Sequence, residues 1–420
     1  MAIPITAVFR TISRLAATLF ALTAFAAHAQ QPPAAQPAPA PAPKEQPRWM
    51  QGQPPEMAGS KLAPLAPHLT GRPASELPVD KLKVPPGFKV EVWVDGIPDA
   101  RSLALGAKGT VFVSNRNLKD VYAITDRGGK REVKKVLKGL NTPNGVAFHK
   151  GTLYVAEQQR ILRYDGIEDR LDNPPEPKVV IDGLPKQVGH FWKFLAMGPD
   201  GKLYFNIGAP GNIVMPSNVQ GSISRVDPKT GVMENYVQGV RNSVGFDWHP
   251  KTRQLWFTEH GRDWMGDDMP SDELNVVKRK GEHFGYPYCH QGDTLDPEFG
   301  KNRTCSEFTP PVAKLGAHIA PLGMRFYTGK MFPAEYQNNM FIAQHGSWNR
   351  TVKHGYNVIR VVVGADGKVK STPFLEGFLQ DPKATPPTWG RPVDVLVMRD
   401  GALLVSDDYN GIIYRISYKK

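Results

Sequence analysis

The sequence predicts an all-β fold, a six-bladed β-propeller, on three observations. A strand rich in aromatic and β-branched residues recurs six times between Gly87 and Lys420, at spacings of roughly 40–85 residues. Tight polar turns such as Gly198-Pro199-Asp200-Gly201 and Arg399-Asp400-Gly401 stand just before these strands. An alternating segment, Phe88–Val94, precedes the first copy without a unit of its own. It is placed to pair with Ile412–Tyr418 and close the ring, leaving only short, protected edges.

In chain order the recurring strands are Val111-Phe112-Val113-Ser114, Leu153-Tyr154-Val155-Ala156, Leu203-Tyr204-Phe205-Asn206, Leu255-Trp256-Phe257-Thr258, Met340-Phe341-Ile342-Ala343 and Leu403-Leu404-Val405-Ser406. They are assigned as the inner strands. Partner strands such as Ile161-Leu162-Arg163-Tyr164, Ser222-Ile223-Ser224-Arg225 and Val358-Ile359-Arg360-Val361 follow them. A β-sandwich would use similar strands but has no need of six copies of one unit. The longest spacings follow the fourth copy and surround the fifth, so insertions belong there, including the stretch from Cys289 to Cys305.

Composition agrees. With 40% hydrophobic and 22% charged residues among 420, the chain is globular and not wholly disordered or fibrous. Its 40 glycines and 39 prolines mostly separate short apolar runs, which suits many turns and disfavours a helical bundle. The formal charge of +12 is scattered, without a basic block. Such a balance points to an anionic ligand or acidic partner and away from nucleic acid.

Residues 1–29 have the pattern of a secretory signal peptide. Arg10 and Arg14 precede an apolar core over residues 15–27, and Ala27-His28-Ala29 forms a small-residue cleavage site. The core is too short to span a bilayer comfortably. Cleavage after Ala29 removes both arginines, leaves a charge of +10, and implies a periplasmic protein. Residues 30–60 follow as a Pro/Ala-rich disordered linker, and residues 85–420 form the propeller domain. Two cysteines in an oxidising compartment make a Cys289–Cys305 disulfide the default, and they are too few for a zinc site.

Four stretches carry unusual polar density. His190-Phe191-Trp192-Lys193 offers a histidine that is either packed against aromatics or placed as a base. Arg241-Asn242 is a donor pair suited to an anionic or carbonyl oxygen, or to pinning a loop. Residues 259–275 hold Gly261, Arg262, Asp263, Asp267, Asp268, Asp272 and Glu273 in one Gly-containing stretch. Hard oxygen ligands in an irregular loop select Ca²⁺, although a solvated acidic loop has the same composition. Last, His318, Arg350 and Arg391 are three potential cations beside later strands, which together suit a polycarboxylate.

These pieces resemble, in order, the soluble quinoprotein sugar dehydrogenases of the glucose/sorbosone dehydrogenase family. The likeness runs from His190 through Tyr204, Gly239-Val240-Arg241-Asn242, Asp272-Glu273-Leu274-Asn275, Gly285-Tyr286-Pro287 and Ile319-Ala320-Pro321 to Arg391-Pro392-Val393-Asp394-Val395. It covers about residues 85–420. The resemblance implies a propeller binding pyrroloquinoline quinone (PQQ) and Ca²⁺, a sugar or sugar-aldehyde substrate, and a separate electron acceptor, either a cytochrome or a quinone. His190 would be the base and Arg241 the group stabilising charge on the quinone oxygen. Asn242, His318 and Arg391 would contact the cofactor, and the carbonyls of Gly261 and Arg262 would bind calcium. Four positions depart from the family pattern. Val393 stands where a second clamping arginine is expected, and Gly189 where an acidic residue is expected. Arg350 substitutes for an expected lysine, and Asn144 is nearest to an expected glutamine. These departures disfavour glucose and suit a sorbosone-type substrate.

The chemistry supports a cofactor independently, because hydride removal needs an electron sink that side chains do not provide. No Gly-rich nucleotide fingerprint follows a strand, and no Cys-x-x-Cys-His is present for covalent haem. Two rival readings are a calcium-dependent lactonase and an inactive propeller that binds sugar or protein. A lactonase should spread carboxylate ligands over several blades, whereas here they cluster in one stretch.

Overall fold

The computed structural model describes residues 47–419. The expected signal peptide, its expected cleavage site and the expected linker as far as residue 46 lie outside the described residues. Six four-stranded antiparallel sheets follow one another round a ring. Blade 1 comprises Ala100–Leu105, Val111–Asn115, Val121–Arg127 and Lys130–Leu137, and blade 2 Gly145–His149, Thr152–Ala156, Ile161–Asp165 and Lys178–Ile181. Blade 3 is Leu195–Met197, Leu203–Ile207, Ser222–Val226 and Met233–Gln238, and blade 4 Phe246–Trp248, Leu255–Glu259, Ser271–Val276 and Ala313–Ala317. Pro321–Phe326, Met340–Gln344, Asn357–Val363 and Val369–Leu375 make blade 5. Blade 6 takes Pro392–Val397, Leu403–Asp407 and Ile412–Tyr418 from the C-terminus and its fourth strand, Phe88–Val94, from the N-terminus. Phe88 pairs with Tyr418 and Val90 with Ile416, so the expected ring closure is present.

One assignment needs correction. The recurring strands are each second from the axis; first strands, such as Gly145–His149 and Leu195–Met197, neighbour one another at the centre. The second strands are buried at every position in all six blades. Each is covered on both faces by adjacent blades, which is why the sequence shows apolar runs there and not clean alternation. Apolar clusters lie between neighbouring blades, for example Phe112 and Val121 against Leu153 and Val155, and Trp256 and Leu274 against Met324 and Ile342.

The insertion predicted after the fourth copy lies between the third and fourth strands of blade 4. It contains a small hairpin, Cys289–His290 with Thr294–Leu295, and the disulfide Cys289–Cys305 closes it. The segment ahead of blade 6's outer strand departs from the linker reading. Residues 47–60 carry single 3₁₀ turns at Arg48–Met50 and Pro55–Met57 and are held to the loops of blades 3 and 4 by hydrogen bonds. Composition alone could not show this, since Trp49 and Gln51 find their partners more than 160 residues away.

Candidate active site

Strand directions alternate within a blade. Loops joining second to third strands, and loops joining one blade to the next, therefore leave the propeller at the same end. That end holds a cavity of about 420 Å³, a usual size for a small-molecule site. His190, Arg241, Asn242, His318 and Arg391 lie on between-blade loops, and Gly261, Arg262 and Arg350 on second-to-third loops. The cavity brings together His190, Arg241, Asn242, Gly261, Asp272, His318 and Arg391.

His190 holds φ at 45°, a region few non-glycine residues adopt. Gln187 fixes it there, its Nε2 donating to the carbonyls of Gly189, His190 and Gly208 at 3.0, 3.0 and 2.9 Å. A side chain at Gly189 would meet the Pro210 carbonyl at 2.8 Å, so the acidic residue of the family pattern has no room. His190 Nδ1 lies 2.9 Å from the carbonyl oxygen of Ala209, which can only accept. The proton therefore sits on Nδ1, and Nε2 keeps its lone pair. Burial, with Arg241 adding repulsion, holds the imidazole well below its ordinary pKa. It is a neutral, pre-oriented base at neutral pH. His318, Ala320 and Tyr356 also line the cavity with φ of 59°, 50° and 58°, so backbone strain concentrates at this mouth.

Arg241 is buried, and its side chain is oriented by its partners. Nε donates to the Asn212 carbonyl at 2.8 Å, and Nη2 donates to Asn212 Oδ1 at 2.8 Å and Asp263 Oδ2 at 2.9 Å. Only a weak 3.4 Å contact to the His260 carbonyl engages Nη1, so one guanidinium corner is left for an oxygen ligand. Asn242 Nδ2 faces His260 Nδ1 at 3.0 Å, while His260 Nε2 faces the Pro321 carbonyl at 3.0 Å. The carbonyl fixes the histidine proton on Nε2, so Asn242 donates to Nδ1. Its Oδ1 remains buried with no partner among the described residues. An orphaned buried acceptor beside a cavity marks a place for a donor or a cation.

A cationic cluster forms the opposite side. Asp408 accepts from Arg101 Nη1 at 2.6 Å and Arg391 Nε at 2.7 Å, with His345 Nε2 at 3.1 Å. Burial works to raise the Asp408 pKa, but Arg391, His345 and Arg101 outweigh it and hold the carboxyl well below the usual range. Arg116 lies over the Trp192 ring at 4.8 Å, its pKa lowered to about 10 by burial and by Arg101. Arg101 and Arg391 share the Asp408 carboxylate, Arg116 has Asp99 as its nearer acidic neighbour, and the cavity lining holds more arginines than carboxylates.

Several expected residues do different work. Arg350 does not reach the cavity: its Nη1 donates to the Asp267 carbonyl at 2.6 Å and Asp268 Oδ1 at 2.7 Å, pinning the acidic loop. His345 occupies the cavity from the end of that same blade's second strand. The acidic stretch is not a carboxylate cage. Asp272 accepts from the backbone N–H groups of Gly261 and Ala320 at 2.7 and 2.8 Å, and burial raises its pKa to about 7. Glu273 accepts from Gln291 N and Asn275 Nδ2. Arg262 turns its side chain away, to Asp296 at 2.6 Å. No cluster of three acidic, histidine or cysteine side chains suited to a metal occurs among the described residues. What does fit a hard cation is the backbone: the Gly261 and Arg262 carbonyls accept no hydrogen bond among the described residues, and Gly261 borders the cavity.

Sequence reasoning missed Arg101, Arg116, Asn212, His345 and Asp408, and gave His260 no role. A signal existed. Arg116, His260, His345 and Asp408 each follow the last residue of a second strand, in blades 1, 4, 5 and 6. Treating the repeats as equivalent frames would have aligned them. Val393, at the departure from the clamping pattern, is buried among Phe194, Val244 and Leu322.

A family model described as TrAA12-like matches residues 82–419. An uncharacterized protein of Borreliella burgdorferi is 34% identical over 363 residues, spanning 83% of this chain and 93% of its own length. The PQQ-dependent pyranose dehydrogenase of Coprinopsis cinerea is 23% identical over 340 residues, which are 69% of this chain and 46% of that protein. Among solved structures, the holo PQQ domain of the Coprinopsis cinerea pyranose dehydrogenase superposes with a TM-score of 0.70 at 20% identity, covering 80% of this chain and 97% of that one. The calcium structure of the Trichoderma reesei Carbohydrate-Active Enzymes Family AA12 protein gives 0.71 at 19% identity, covering 86% and 100%.

Proposed function

The chain belongs to the TrAA12-like family, and from that premise and the cavity's geometry we propose that it is a PQQ-dependent sugar oxidoreductase. The observation that carries the reading is His190: a neutral imidazole with Nδ1 committed to the Ala209 carbonyl and Nε2 unbonded, set in a positively charged mouth. PQQ, when bound, supplies the hydride acceptor that no side chain provides. The residues present fit that group. Arg101, Arg116 and Arg391 offer charge to its carboxylates, Trp192 offers an aromatic wall, and the free corner of Arg241 offers a donor to an oxygen. His190 Nε2 would take the proton of the hydroxyl on the reacting carbon, the anomeric hydroxyl of a ring sugar or a hydroxyl of a hydrated aldehyde, as the C–H bond on that carbon gives up its hydride. Arg241, held by Asn212 and Asp263, stabilises negative charge without having to move.

Calcium would be held by the carbonyls of Gly261 and Arg262, next to Asn242. We further assign a sorbosone-type sugar aldehyde as substrate, on the departures at Gly189 and Val393, and a separate cytochrome or quinone as electron acceptor. Export to the periplasm through residues 1–29 fits such an acceptor. The test is reconstitution: PQQ and Ca²⁺ are added to purified protein, and dye reduction is followed over a panel of aldoses and sugar aldehydes. Tight PQQ binding without reduction by any of them would favour the inactive, ligand-binding propeller.

A further inference from the structure

The propeller does not complete its own cavity. Arg48, Trp49, Pro64, Leu65 and Pro67, all upstream of the first blade, line it as well. This strap runs over the mouth from blade 3 to blade 6, and it is anchored at each step. Gln51 Oε1 accepts from Asn212 N, and the Gln51 carbonyl accepts from Asn212 Nδ2, both at 2.8 Å. The Trp49 carbonyl accepts from Trp264 Nε1 at 2.6 Å. The Trp49 ring stacks on Trp264 at 6.4 Å and meets the edge of Trp348 at 5.7 Å, so blades 4 and 5 both grip it. Further on, His68 stacks on Tyr409 of blade 6 at 3.9 Å, and Arg72 N donates to the Asn410 carbonyl at 2.8 Å.

The seat is shaped for the strap. Gly52 adopts φ of 73°, and a Cβ there would meet Arg262 Nη2 at 2.8 Å. A Cβ on Gly211 would meet Gln51 Oε1 at 2.1 Å. Trp264, the stacking partner, is itself held at φ of 71°. At both positions the glycine leaves room for a side-chain end, Arg262 beside Gly52 and Gln51 beside Gly211, to pack against the backbone.

We propose that the strap is the specificity wall of the active site, with Trp49 its principal contact, and that it confines substrates to single-ring sugars. The inference rests on the sugar-oxidoreductase reading and deepens it. A cavity of about 420 Å³ must admit cofactor and substrate together. With the strap across one side, the next ring of an oligosaccharide has no exit there. Trp49 presents a rigid, amphipathic face suited to a sugar ring at little entropic cost. Asn212 receives the strap on one side and orients Arg241 on the other, so strap docking and the catalytic guanidinium share one residue.

Two measurements on the full-length chain test this. In the first, the protein without cofactor is treated with diethyl pyrocarbonate, and modification of His190 is timed by peptide mass spectrometry. In the second, kcat/KM with PQQ and Ca²⁺ is compared for a monosaccharide and its tetrasaccharide. Trp49→Ala should speed His190 modification and raise the tetrasaccharide-to-monosaccharide ratio by about tenfold, the discrimination one pocket contact supplies. Gln51→Ala removes an anchor but no cavity-lining side chain, and should shift both readouts the same way by less. Unchanged His190 modification and an unchanged ratio in both variants, each folded by its melting curve, overturn the proposal. Wild-type protein that oxidises no sugar overturns the sugar reading instead, and the modification rates then decide the wall by themselves.

Discussion

Arg101 Nη1 lies 2.6 Å from Asp408 Oδ2, a buried ion pair that joins the first blade to the last. Arg101 sits on the first strand of blade 1, and Asp408 follows the second strand of blade 6. The pair thus adds an electrostatic clasp at the mouth, near the seam that the N-terminal strand closes further out.

Removing one partner of such a pair leaves buried charge uncompensated, so Asp408→Asn should lower stability by about 3–5 kcal/mol in denaturant unfolding. The pH dependence has a definite sign. The folded-state pKa of Asp408 is held well below that of the unfolded chain. Its contribution is therefore present above the unfolded value and is lost as pH falls toward the folded one. The stability gap between wild type and Asp408→Asn should narrow on acidification below about pH 4. A gap that stays constant there would show that the carboxylate's charge is not what stabilises the seam.

His190→Ala should retain PQQ but lower kcat by about two to four decades, the usual range for a positioned base. Because burial and Arg241 depress its pKa, the base stays competent through neutrality. The acid limb of kcat should lie well below pH 6.5, and stopped-flow reduction of bound PQQ measures it. A limb at or above the ordinary histidine pKa contradicts the environment described for His190.

Arg391 and Arg350 make opposite predictions. Arg391→Ala removes a buried guanidinium lining the cavity, so PQQ affinity should fall by about 1.5–3 kcal/mol in a titration. Arg350 pairs with a largely exposed Asp268 away from the cavity, and Arg350→Ala should leave PQQ affinity unchanged, at a stability cost of about 0–1 kcal/mol. Equal losses of affinity would return Arg350 to the cofactor site.

Calcium and PQQ should bind together. Stripping Ca²⁺ with a chelator should weaken PQQ binding and lower the melting temperature by linkage. Addition of Ca²⁺ should restore both. Calorimetry in which PQQ affinity ignores the chelator removes the metal from the cofactor site.

The Cys289–Cys305 disulfide closes a loop of 16 residues' separation. Replacing both cysteines with serine should cost about 3 kcal/mol of unfolding free energy in the chain-entropy model. Chemical denaturation of the double variant checks the value, and thiol titration of the unfolded wild type should find no free cysteine.

The sequence by itself determined the architecture, because its signals are local. Strands such as Val111–Asn115 and Leu403–Asp407 open on the apolar runs Val111-Phe112-Val113 and Leu403-Leu404-Val405. The turn before Leu203 is spelled by Gly198-Pro199-Asp200-Gly201, and Phe88–Val94 was left over to close the ring. His190 and Arg241 were legible for the same reason, each standing in a motif next to a strand that fixes its blade. Tertiary structure alone decided which side chains share the cavity. Arg350 stands in sequence where a cofactor contact is expected, yet the acidic loop of the neighbouring blade captures it, and His345 lines the cavity from the same blade. The carboxylates of the 259–275 stretch fell together in sequence but cap different backbone groups in space. Arg101 and Asp408 stand 307 residues apart, and Gln51 and Asn212 stand 161 apart. No period or motif links residues so distant. Only closure of the ring sets the direction of each loop, and with it the partners within hydrogen-bonding reach.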